Sequence, residues 1–122
     1  MKTLKVGVAD YDEMKARTMR IARGEEKPAP SDPKVWFTST ESFAKVLSAG
    51  NRDLLRVIAE QAPGSLEELS QITGRAKSNL SRTLKTMAQY GLVELKRDNK
   101  RMVPLVRYDR YQVVYGLDSI AA

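Results

Sequence analysis

The spacing of apolar positions changes repeatedly along the chain, and each change marks an element. Leu4, Val6 and Val8 alternate with Lys5 and Gly7, the period of a half-buried strand. From Asp10 the spacing becomes helical: Tyr11, Met14, Thr18, Ile21 and Ala22 share a face, with Asp10 as cap, Glu13 completing a capping box, and an end near Arg23. Residues 24–34, GEEKPAPSDPK, hold three prolines and no large apolar side chain, which predicts an extended linker. Val35, Trp36 and Phe37 then restart the pattern as a short strand. Ser39 or Thr40 opens a helix carrying Phe43, Val46 and Leu47. Ala49-Gly50 is expected to break it, and Asn51 to cap a longer helix whose Leu54, Leu55, Ile58 and Ala62 form a buried stripe before Pro63-Gly64.

Residues 65–91, SLEELSQITGRAKSNLSRTLKTMAQYG, are the most informative stretch. Ser65 and Glu68 make a capping box, Leu66, Leu69 and Ile72 are expected to face inward, and Gly74 supplies the left-handed residue that ends the helix. A second helix starts near Ala76, without a strong cap unless Ser78 serves, and stops before Gly91. At 100° per residue, Ala76, Leu84, Met87 and Gly91 fall within about 40° of Leu80, a core stripe. Ser78, Arg82, Lys85 and Gln89 lie on the far side, flanked by Arg75, Asn79 and Thr86. Two short helices with a tight turn, one face apolar and the other basic, amide-bearing and hydroxylic, are what a helix-turn-helix requires. Leu92, Val93 and Leu95 lead into a strand, Asp98-Asn99 makes a turn, and Met102, Val103, Leu105 and Val106 return, with Pro104 confining that strand to an edge or bulge. Tyr111, Val113 and Tyr115 alternate in a final strand.

Charge sharpens this picture. The 122 residues carry a formal charge of +6, and the stretch from Arg75 to Arg101 alone accounts for it. That stretch holds Arg75, Lys77, Arg82, Lys85, Lys96, Arg97, Lys100 and Arg101 against Glu94 and Asp98, and no acidic residue lies between Arg75 and Tyr90. A solvated surface normally mixes its signs, so an excess confined to one helix and one hairpin points to a polyanion. Arginine can fork onto guanine, asparagine or glutamine onto adenine, and serine or threonine can reach a base or a phosphate. The candidate DNA contacts are therefore Arg75, Lys77, Ser78, Asn79, Ser81, Arg82, Lys85 and Thr86 on the helix and Arg97, Asn99, Lys100 and Arg101 on the hairpin.

Other chemistry has few carriers. With no histidine and no cysteine, the usual general bases, thiol nucleophiles and zinc sites are missing. The densest acidic groups, Asp10 to Glu13 and Glu25-Glu26, read as helix-terminal charge and as linker. No catalytic residue, metal or cofactor is expected. No apolar run reaches the length of a membrane span, and a cytoplasmic location is the expectation.

The order helix, helix, SLEELSQITG, a basic helix ending in YGLVEL, then a hairpin, resembles the MarR-like winged helix-turn-helix transcriptional regulators of prokaryotes, over about residues 37–107. With the FTSTESFAKVLSAGNRDLLRVI run and the MVPLVRYDRYQVVYGL tail, the chain looks like a small subgroup of DNA-binding proteins from bacteria and archaea. The resemblance implies an α+β fold, mainly helical with a small sheet: a winged helix-turn-helix over 35–122 behind an N-terminal strand-helix extension and linker over 1–34. It implies a homodimer that binds double-stranded DNA, usually as a repressor, with Ser78, Asn79, Arg82 and Lys85 on the base-reading side and Arg97 to Arg101 in the wing. The alternative is an antitoxin that holds a neighbouring toxin and regulates its own operon. No long C-terminal helices of the MarR type follow, so the dimer is not expected to copy theirs. The N-terminal strand is too short to stand alone and must pair with something, which suggests an association element; packing back on its own winged helix is the other option.

Overall fold

The computed structural model describes residues 2–115 and shows an α+β chain of five helices and five strands within that range. Two compact units divide it. One comprises residues 3–45 with 110–115, and the other runs from Val46 to Asp109 together with Lys2.

In the first unit, β1 (Lys2–Val8), α1 (Tyr11–Ala22) and β2 (Val35–Phe37) form a strand-helix-strand crossover. β1 and β2 pair in parallel, Val6 opposite Val35 and Val8 opposite Phe37, and β5 (Tyr108–Tyr115) completes a sheet of order β2-β1-β5. The lone strand expected from the sequence therefore has partners on both sides within its own chain. Trp36 lies across Gly7, where a Cβ would come within 2.5 Å of the indole, so only glycine fits that position. α2 (Thr40–Val46) follows with Ser39 as its cap, accepting from the Ser42 amide at 3.0 Å, and Phe43 meets Phe37 edge-on.

The linker between α1 and β2 is not extended. Glu26 bridges Arg17 and Arg20 at 3.2 and 3.1 Å, Asp32 meets Arg17 at 2.9 Å, and the Lys5 ammonium donates to the Ser31 carbonyl. The carboxylates that read as loose linker charge hold the segment against α1. This also explains why α1 buries no residue despite its apolar stripe: its inner face is fastened through half-buried arginines, one of them 5.5 Å from the Trp36 ring.

The second unit contains α3 (Ala49–Gln61), α4 (Leu66–Thr73), α5 (Lys77–Gln89) and the hairpin β3 (Glu94–Asp98) and β4 (Arg101–Leu105). Its core is Leu54, Leu55, Ile58, Leu66, Leu69, Leu80, Leu84, Met87, Leu92 and Val93. Four expectations need correction. Ser48, not Asn51, caps α3, which runs through Gly50; Asn51 instead donates its side-chain amide to the Val46 carbonyl. Ala62 is exposed and left-handed (φ 45°), closing α3 ahead of the buried Pro63. Ile72 is 37 % exposed because α4 lasts only eight residues and its inward face is already filled by Leu66 and Leu69. Ala76 and Gly91 sit at the two ends of α5, outside the layer that covers Leu80, Leu84 and Met87, and both are exposed.

Candidate nucleic-acid interface

Turn chemistry and caps set the two helices that matter. The Ser65 hydroxyl accepts from the Glu68 amide at 3.1 Å, and the Glu68 carboxylate accepts from Gly64 at 2.8 Å, fixing the start of α4. Gly74 (φ 75°) closes α4, where a side chain would strain the backbone. Ser70 donates to the Arg75 carbonyl at 2.6 Å, tying the turn to α4. α5 then begins at Lys77 behind Ala76, which makes no side-chain cap; Ser78 does not serve.

Leu80, Leu84 and Met87 are fully buried, so the orientation of α5 is fixed. Its opposite face exposes Lys77, Ser78, Asn79, Arg82, Lys85, Thr86 and Gln89, while Ser81 is half-buried. Thr86 donates its hydroxyl to the Arg82 carbonyl at 3.1 Å, so its one side-chain donor is occupied. Asn79, Arg82 and Lys85 have no side-chain partner among the described residues, and neither does Ser78.

Arg75 behaves differently. Its guanidinium reaches back to α3, donating to the Gly50 carbonyl at 2.9 Å and to the Asn51 side chain at 3.5 Å. It clamps the helix-turn-helix and is not free to read a base. Lys77 pairs with Glu67 at 3.1 Å, but both side chains are more than half exposed, so the pair is worth little and a stronger anion can displace it.

The hairpin pairs Glu94 with Leu105 through Asp98 with Arg101, leaving Asn99 and Lys100 as the turn. Asn99 is left-handed (φ 53°), a conformation asparagine tolerates better than most residues. Leu95, Arg97, Met102 and Pro104 share one face of the hairpin; Pro104 is buried near its root and Arg97 emerges at its tip. Lys96, Arg97, Asn99, Lys100 and Arg101 are all exposed.

The structure brings helix and hairpin together. Lys100, Arg101 and Met102 line one cleft of about 160 Å³ with Lys77 and with Ser65, Leu66 and Glu67 at the start of α4. The start of α5 and the hairpin tip thus form one basic surface. Three further carboxylates of this unit are committed locally, Asp53 to Arg56, Glu94 to Arg107 and Glu68 to the Gly64 amide, while Asp98 at the hairpin tip, Glu60 and Asp109 make no side-chain ion pair among the described residues. Arg82, Lys85, Lys96, Arg97, Lys100 and Arg101 have no side-chain ion-pair partner among the described residues. The N-terminus of α4 is the part of this surface that the sequence reading missed. The capping box at Ser65 marked the helix start, but only the fold sets it beside the hairpin.

Among the described residues no cluster of three potential metal ligands occurs, and no helix is long and apolar enough to cross a membrane.

No curated protein matches the chain. Among solved structures it is similar to a protein described as the predicted DNA-binding transcriptional regulator from E. coli, at 20 % identity and a TM-score of 0.48, over 82 % of this chain and 86 % of that one. A family model, HVO_A0114, matches residues 46–113, more than half of the sequence and nearly the same span as the helical unit with its hairpin. The chain belongs to the HVO_A0114 family.

Proposed function

We propose that this protein is a sequence-specific, double-stranded-DNA-binding transcriptional regulator acting as a homodimer, most simply as a repressor. The observation that carries the reading is the continuous basic surface: an acid-free α5 face whose Asn79, Arg82 and Lys85 are unengaged, joined at Lys77 to the hairpin tip. In this reading α5 enters the major groove, where Arg82 and Asn79 contact base edges, while Lys96, Arg97, Lys100 and Arg101 hold phosphates from the wing. The MarR-like resemblance rests on the same order of helices and hairpin. Two copies would present their α5 helices about 34 Å apart, one helical turn of DNA. The cytoplasm is where such a regulator would work.

Footprinting with the purified protein upstream of its own gene tests this, with protection of a two-fold symmetric site expected. Absence of protection there would contradict it. Co-purification with a stoichiometric second protein would move the reading to an antitoxin that also binds DNA.

A further inference from the structure

The strand edges of the chain are not treated alike. β2 is only three residues long and follows Pro33 and Lys34. β3 carries Lys96 and Arg97, and β4 carries Arg101 and Pro104. Short strands, prolines and cations are the devices that keep edges from pairing with other chains. β5 has one of them, the exposed Arg110 near its start, and is neither short nor broken by proline. It is eight residues long, stands at one end of the sheet order among the described residues, and contains no proline, glycine or lysine. Its charges, Asp109 and Arg110, sit near its start, and Gln112-Val113-Val114-Tyr115 is an uncharged stretch rich in strand formers. No residue of β5 has a positive φ, so no left-handed bulge interrupts it.

We infer that β5 is the self-association edge, pairing antiparallel with β5 of a second copy so that the two small sheets become one. This rests on the reading of the protein as a dimer and names the interface. Directly opposed residues in an antiparallel pair share a face, and same-face residues are two apart, so a two-fold axis normal to the sheet must pass beside a residue that faces its own copy. A centre at Asp109 or Arg110 sets like charges against each other. A centre at Tyr111 would leave Asp109 opposite Val113, and one at Val113 would pair only residues 111–115. A centre at Gln112 pairs residues 109–115: Tyr111 lies opposite Val113 twice, an aromatic and β-branched pair, Arg110 opposite Val114, and Asp109 opposite Tyr115, whose hydroxyl can donate to it. β1 is flanked by β2 and β5 and offers no edge of its own, so the association role anticipated for the N-terminal strand passes to the strand beside it.

Gln112 is exposed, so charge there leaves the fold intact and meets itself across the axis. Sedimentation velocity is run on the full chain, on Gln112→Lys, on Gln112→Glu, on Gln112→Asn as a neutral control, and on an equimolar mixture of the two charged variants. The wild type and the neutral variant should be dimeric at micromolar concentration. Each charged variant should dimerise about tenfold or more weakly, and the mixture should recover, because unlike charges then meet. A monomeric wild type, or charged variants as dimeric as wild type, would overturn the inference. Binding of the same preparations to a short random-sequence duplex at low salt reports separately on the DNA reading: its loss in a dimeric wild type would remove that function and leave the interface standing.

Discussion

Arg75 and Arg82 are seven residues apart and look equivalent in the sequence, yet the structure gives them different work, and replacing each with alanine should separate the two. Arg82 lies mid-way along α5, exposed, with no side-chain partner, so its truncation breaks nothing within the chain. Arg82→Ala should leave the melting temperature unchanged, since exposed substitutions usually fall within about 0.5 kcal/mol. On a cognate duplex it should cost about 1–3 kcal/mol, a loss of roughly 5- to 150-fold in affinity, and narrow the gap to random DNA. Arg75 instead donates to the Gly50 carbonyl at 2.9 Å and to Asn51. A hydrogen bond from a charged donor contributes about 1.5–3 kcal/mol when buried, and this one is partly solvated, so Arg75→Ala should destabilise the fold by about 1 kcal/mol. Its effect on DNA should be mild and equal for cognate and random duplexes. Thermal melts and fluorescence-anisotropy titrations of both variants on both duplexes supply the four numbers. An unchanged specificity ratio in Arg82→Ala, or a selective loss on the cognate site in Arg75→Ala, would refute the placement of α5.

The hairpin should act through charge. Lys100→Ala and Arg101→Ala are each expected to weaken cognate and random duplexes alike and to reduce the steepness of log K against log salt by about 1, measured by titration at several salt concentrations. Ala62 holds a left-handed conformation that costs an alanine about 1–2 kcal/mol and a glycine little, so Ala62→Gly should raise stability by up to about 1 kcal/mol in urea unfolding, despite glycine's greater freedom when unfolded. Leu84→Ala removes a fully buried side chain beneath α5 and should destabilise by about 2–5 kcal/mol, with DNA affinity lost only as the folded fraction falls.

Much of the fold was legible where side-chain chemistry is local. Ser65 with Glu68, Gly74 and Gly91 punctuate the helices where their cap and turn preferences require, and the stripe of Leu80, Leu84 and Met87 sets the orientation of α5. The errors arose where distant partners decide. Glu26 and Asp32 look like loose linker charge until Arg17 and Arg20 are placed opposite them, and Val35 to Phe37 look like the start of the second domain until they pair with β1. The site shows the same division. Periodicity exposed Asn79, Arg82 and Lys85, but the diversion of Arg75 to α3 and the meeting of Lys100 and Arg101 with the start of α4 are tertiary facts.

Selection of bound duplexes from a random-sequence pool by the full-length protein, followed by sequencing, tests the central claim most directly. The account predicts enrichment of an inverted repeat whose half-sites are centred about 10–10.5 base pairs apart, with the enriched bases lost or changed when Arg82→Ala is used instead. A pool that stays random after repeated rounds, or one enriched identically by Arg82→Ala, would contradict it.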